Sequence, residues 1–203
     1  MMYFNVEAKT WKPLASTIPS IDSKTCYCAA SAGKNLYVAG FKVLFGYRIR
    51  RYDTECNVWE KLPHSCGVIK NLCIVDDYMY AISSDYSKFP QRYSFAKCHW
   101  QTFTKVSIAK NDSKFNRFYF SGAAVLQSKL YVLYGAYLLL DGWHVQNAGL
   151  HCFDPVKNEW EVKATTCKPH FESILFVANN RIHVAGGMTL LKKKMLYGVI
   201  QHL

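Results

Sequence analysis

Four times along this chain an aromatic residue stands seven positions before a tryptophan: Phe4 and Trp11, Tyr52 and Trp59, Tyr93 and Trp100, Phe153 and Trp160. A small polar residue follows each aromatic, namely Asn5, Asp53, Ser94 and Asp154. These units take up four of the five tryptophans. A spacing kept this strictly marks one structural unit that has been copied, so the chain must fold as an array.

A second repeat interleaves with the first. Its copies are 33–40, 76–83, 127–134 and 179–186. Each opens on a polar pair and continues as an apolar and aromatic run. Leu36, Met79, Leu130 and Ile182 hold one register; Tyr37, Tyr80, Tyr131 and His183 hold the next. Another apolar run precedes each pair, as in Leu72-Cys73-Ile74-Val75. Two β-type runs joined by two turn residues predict a hairpin. Asp76-Asp77 and Asn179-Asn180 suit the turn because Asp and Asn tolerate positive φ, whereas Gln127-Ser128 is a weak pair carried by its register.

The Trp unit supplies a second hairpin, with a polar turn such as Asp53-Thr54-Glu55-Cys56-Asn57 between its strands. One period therefore holds four short antiparallel strands, expected near 26–32, 36–40, 47–52 and 58–62 in the first full copy. Most runs are apolar on both alternating faces, as in strands covered on two sides. Four strands per unit of this length describe a propeller blade, which buries both faces against its neighbours. The repeated Trp and Tyr, Trp59, Trp100 and Trp160 among them, are accordingly expected to pack between blades.

The order of hairpin, diglycine, aromatic-Asp and Trp resembles the kelch repeat. Arg181-Ile182-His183-Val184-Ala185-Gly186-Gly187 carries the diglycine end, and Tyr52-Asp53 through Trp59-Glu60-Lys61-Leu62-Pro63 carries the Trp end. The likeness covers almost the whole chain. A WD-type propeller has a similar period but needs Trp-Asp dipeptides, which this sequence lacks. Gly186-Gly187 is intact, while the matching pairs are Gly40-Phe41, Ser83-Ser84 and Tyr134-Gly135. The expected fold is thus an all-β, kelch-type β-propeller with about four blade equivalents of four antiparallel strands. Whole blades are expected over 24–63, 64–105 and 117–163, with the second half of a blade over 1–14 and a first half plus tail over 170–203. Either the two halves zip into a four-bladed ring, or the chain is part of a larger propeller of about six blades, as the resemblance implies; the second is the expectation here.

No linker-like stretch interrupts the repeats, so one domain is expected. The first residues do not form a signal peptide, and the apolar run 131–140 is too short to span a bilayer. Eight cysteines form no C-x-x-C pair, which points to reduced thiols and a cytoplasmic protein without a metal. The net charge of +11 comes from scattered basic residues with no nucleic-acid motif, so an acidic protein segment is the better partner. No catalytic constellation or cofactor motif emerges. The expectation is a binding protein and not an enzyme, although some kelch-like propellers are copper oxidases.

The resemblance implies a protein-interaction module, the substrate-recognition propeller of a cullin-3 ubiquitin-ligase adaptor in the ubiquitin-like conjugation pathway. In that family a BTB region binds the cullin, and this sequence contains neither a BTB nor a BACK region. An actin-binding or scaffold role is the alternative. The segments joining the two hairpins, about 42–48, 85–90 and 136–148, differ most between copies, and variable loops on a rigid scaffold carry recognition. Trp143 is the one tryptophan outside the repeat. A partner site is therefore expected from Tyr47, Arg48, Tyr86, Lys88, Trp143 and His144, with Lys114 and Arg117 attracting an acidic segment. Trp143 folded back over its own blade is the competing reading.

Overall fold

The computed structural model describes residues 2–13, 27–42, 46–65, 69–83, 91–104, 117–138, 144–165, 171–191, 194–197 and 201–202. The chain forms two compact units, 1–67 and 68–203. The described residues contain no helix.

In the first unit, β1 (Met2–Asn5) pairs with β2 (Thr10–Pro13) as a two-stranded sheet. A four-stranded antiparallel meander follows: β3 (Tyr27–Ala32), β4 (Asn35–Lys42), β5 (Gly46–Asp53) and β6 (Val58–Lys61). In the second unit, β7 (Ile69–Val75), β8 (Tyr78–Ser83), β9 (Gln91–Ser94) and β10 (His99–Thr102) repeat the meander. So do β11 (Arg117–Leu126), β12 (Lys129–Leu138), β13 (His144–Asp154) and β14 (Glu159–Thr165). The last sheet contains β15 (Phe171–Ala178), β16 (Arg181–Leu191), β17 (Lys194–Tyr197) and β18 (Gln201–His202), with both β17 and β18 on β16. The expected all-β array of four-stranded antiparallel sheets is what forms. β17 and β18 lie end to end along β16, in the place that the third strand of the meander takes elsewhere.

The seven-residue spacing is a cross-strand pair. Phe4 lies opposite Trp11, Tyr52 opposite Trp59, Tyr93 opposite Trp100 and Phe153 opposite Trp160. Their ring centroids stand 5.3, 4.9, 5.4 and 5.0 Å apart. Such aromatic pairs stabilise a sheet beyond their buried area. The small polar residue after each aromatic closes the turn. Asp53 Oδ1 accepts from the Glu55 and Cys56 amides at 2.9 and 3.0 Å, and Asp154 Oδ1 accepts from the Val156 and Lys157 amides at 3.0 and 3.2 Å. Ser94 Oγ and Asn5 Oδ1 each accept from the amide three residues on. The residue before the returning strand is left-handed every time: Lys9, Asn57, Cys98 and Asn158 have φ of 49°, 56°, 52° and 55°. Asn suits that position because its short polar side chain tolerates the left-handed region.

The two-residue turns behave alike. Gly33, Asp76, Gln127 and Asn179 all have positive φ. Gln127-Ser128, the weak pair on sequence grounds, is left-handed at both positions and is held by its neighbours. Ser128 and Asp76 share a hydrogen bond of 3.2 Å between their side chains, and Gln127 Nε2 donates to Asn180 Oδ1 at 3.2 Å. Local turn chemistry is thus replaced by bonds to the preceding and following sheets.

In the second unit the sheets pack face on face. Tyr80 and Ile82 of one sheet meet Leu130, Val132 and Phe153 of the next. The Tyr80 ring lies edge-on to Phe103 at 5.2 Å and to Phe153 at 5.9 Å. The opposite face of that second sheet puts Leu133 and Leu150 against Leu175, Ile182 and Val184. Trp160 crosses between sheets: it stacks on Phe103 at 6.3 Å, and its Nε1 donates to the Thr104 carbonyl at 2.7 Å. Trp59 and Trp100 are half-buried against their own cross-strand aromatics.

Trp11 departs from the expectation that the repeated Trp is packed. It is 64% exposed and its partner Phe4 44%, whereas Phe153 in the equivalent place is fully buried. The β1–β2 sheet has two strands where the others have four, so less surrounds its aromatic pair. His183, at the register otherwise held by Tyr, packs as expected, stacked on Phe176 at 5.2 Å.

Candidate protein-interaction surface

Each full meander has two unlike ends. One end gathers the tight turns. Thr54 donates to the Lys34 carbonyl through its amide at 3.0 Å and through its hydroxyl at 2.8 Å, and the Phe95 amide donates to the Asp77 carbonyl at 3.1 Å. Lys34 pairs with Asp53 at 3.3 Å and with Glu55 at 2.7 Å; Lys129 pairs with Asp154 at 3.0 Å. The bond from Lys129 and the turn amides hold the Asp154 carboxyl below its usual range. At Asp53 the Cys56 amide leads the same effect. This end is short, stitched and alike from copy to copy.

The other end carries connections of unequal length: 43–45 joins β4 to β5, 84–90 joins β8 to β9, and 139–143 joins β12 to β13. The stretch leading into β11 arrives at this same end. Arg117 opens β11 opposite Tyr137, and Tyr137 in turn lies opposite Val145. His144 faces Leu138 one rung further out. The structure therefore brings Arg117 and His144 to one end of one sheet. In the first unit, Tyr47 lies opposite Phe41, and the half-buried Arg48 lies opposite Gly40, beside the 43–45 connection. Tyr86, Lys88, Lys114 and Trp143 lie outside the described residues, as do the side chains of Tyr47, Arg117 and His144.

Buried polar side chains are the residues that sequence reasoning missed. Arg50 is 6% exposed, two positions from Arg48 on the same strand face. Burial, and then the charge of Arg48, lower its pKa. His151 is likewise 6% exposed, with its ring edge-on to Tyr134 at 5.9 Å. Burial pushes the Tyr134 hydroxyl upward and the His151 imidazole below its ordinary value of 6.5. Arg50 and His151 occupy equivalent places, opposite Val38 and Val132. Strand alternation alone shows neither, because the faces can be assigned only when the register is known.

A pH dependence follows from His151. A histidine with a depressed folded pKa leaves the unfolded chain binding more protons, so its contribution is present above about 6.5 and is lost as pH falls. Thermal melts at pH 7.5 and 5.5 are expected to show a loss of Tm on acidification that shrinks in His151→Gln. An unchanged pH dependence in the variant contradicts this.

Among the described residues, no three His, Cys, Asp or Glu side chains gather as a metal site. Cys28, Cys56, Cys73, Cys98 and Cys152 are free thiols, and burial pushes the Cys28 thiol up to about 12. No described helix is long and apolar enough to cross a membrane.

No family model matches the chain. Human Kelch-like protein 23 is similar to it, 23% identical over 213 residues that cover 97% of this chain and 33% of that protein. The chain spans one third of the length of that relative. Among solved structures, YjhT covers 98% of this chain with 86% of its own, at 11% identity and a TM-score of 0.49. Strand number, strand order and repeat register, together with the kelch-like relative, define an all-β, kelch-type β-propeller fold of about four blade equivalents.

Proposed function

We propose that this chain is a non-enzymatic protein-recognition module working in the cytoplasm, which holds its partner at the end of the sheets opposite the tight turns. The contrast between the two ends carries this reading. One end is closed by turns in which the polar side chain after each aromatic accepts from the amide three residues on, while the other presents connections of unequal length. Recognition needs surface that can vary without disturbing the scaffold. Arg117 at that end and the net charge of +11 favour an acidic segment as the partner. The finer reading is the substrate-recognition propeller of a cullin-3 ubiquitin-ligase adaptor, with the cullin reached through a BTB region outside this sequence. It rests on kinship with the kelch-like proteins.

The test is a pull-down from lysate with quantitative mass spectrometry, comparing the wild-type chain with Trp143→Ala and Arg117→Glu. Loss of the same partners by both variants, with melting curves unchanged, is the expected result. Retention of every partner by both folded variants rejects the surface. Cullin-3 itself is expected only when a BTB-containing chain is present.

A further inference from the structure

The third rung in from the tight turns repeats in each full meander, and its polar members differ in a telling way. In the first it reads Tyr37, Arg51, Glu60 across three strands; in the second Tyr80, Arg92, Gln101; in the third Tyr131, Cys152, Glu161. Arg51 has its carboxylate: the Nη2 group bonds Glu60 across the strand pair. Cys152 needs none. Arg92 has the same cationic side chain with an amide, Gln101, where the carboxylate stands in the first sheet.

The second sheet offers partial substitutes. The Arg92 guanidinium lies 4.2 Å from the centroid of the Tyr78 ring, and Nη1 reaches the Tyr80 hydroxyl at 3.5 Å. Neither brings negative charge. Among the described residues Arg92 forms no ion pair with a carboxylate. Two donors in this rung, Arg92 Nε and Gln101 Nε2, are buried with no hydrogen-bond acceptor. Arg51 Nε is also without one, so the distinguishing feature is the paired orphan donors beside an unneutralised cation. A buried unpaired donor costs about 1–3 kcal/mol, and more when charged. A rung with two of them is poised for an acceptor. Both residues are half-buried, and Gln101 belongs to β10, an edge strand of its sheet, so the rung lies within reach of a partner chain.

We infer that the Arg92–Gln101 rung is a receptor for a carboxylate side chain, Glu or Asp, of an acidic peptide segment. The incoming carboxylate takes the place that Glu60 holds beside Arg51, accepting from the guanidinium and from the amide together. Charge-assisted bonds to Arg are the strong class, and planar carboxylate geometry matches the guanidinium edge. This surface is separate from the variable-loop end and stands or falls independently of it.

The experiment uses a fluorescein-labelled polyglutamate peptide, read by anisotropy at about 0.15 M salt, where diffuse attraction is screened beyond about 8 Å. The wild-type chain is expected to bind it. Arg92→Gln is expected to weaken binding at least tenfold. Gln101→Glu, which supplies the carboxylate from within, is expected to weaken it as much while raising Tm. Lys157→Glu, at an exposed turn position of the next sheet, changes the net charge by two, against one for Gln101→Glu, and is expected to leave affinity within twofold. No binding by the wild type, or wild-type affinity in Gln101→Glu, overturns the inference. So does a loss in Lys157→Glu equal to that in Gln101→Glu, which would mean attraction to overall charge alone.

Discussion

Trp160→Ala is expected to lower the unfolding free energy by about 3–5 kcal/mol, the usual cost of removing a packed aromatic side chain. Three separate losses add up at this position. The indole pairs with Phe153 across its own hairpin at 5.0 Å. It stacks on Phe103, just beyond the last strand of the preceding sheet, and its Nε1 donates to the Thr104 carbonyl at 2.7 Å. Truncation opens a cavity at a seam between sheets and removes the donor that served Thr104. Urea denaturation followed by tyrosine and tryptophan fluorescence measures the effect. Trp160→Phe, which keeps the ring and drops the donor, is expected to recover more than half of it. A midpoint unchanged in Trp160→Ala would mean that the seam contributes nothing.

Gly122→Ala is the second large effect, expected at about 1–3 kcal/mol from overpacking. A Cβ there would stand 2.7 Å from the Leu175 amide nitrogen and 2.8 Å from Leu175 Cδ1. The nitrogen is backbone of β15, so relief requires moving one whole strand away from another. Gly149 provides the contrast. A Cβ at that residue meets a side-chain atom, His151 Nε2, at 2.9 Å. A side chain can rotate where a strand cannot, so Gly149→Ala is expected to cost less than Gly122→Ala. Equal costs in paired thermal melts would remove the argument for close approach of β11 and β15.

Much of this fold is legible in the sequence because its signals are local. The seven-residue spacing fixes a four-residue turn between opposed aromatics, and the small polar residue that follows each aromatic supplies the acceptor for that turn. The polar pairs likewise announce the first hairpins. Gln127-Ser128 was the weak case because its support comes from Asp76 and Asn180, each about fifty residues away along the chain. Trp11 shows the opposite failure: its local pattern is intact, but its exposure depends on how many strands accompany it. The orphaned donors beside Arg92 were hidden for a related reason. They emerge only when two cross-strand registers are read together, since nothing near Arg92 in sequence says that Gln101 occupies the place of Glu60. Of the expected partner residues, Arg117 and His144 meet at one end because β11 and β13 flank β12. Tyr86, Lys88, Lys114 and Trp143 belong to connections whose positions periodicity does not determine.

Hydrogen–deuterium exchange of the chain with and without its captured partner tests the central claim, that the two ends of the sheets have different tasks. The account predicts slowed exchange in 84–90, 105–116 and 139–143 of the second unit on binding, with the tight turns 95–98 and 155–158 unchanged. Slowed exchange confined to those tight turns, with the variable connections unaffected, would contradict it.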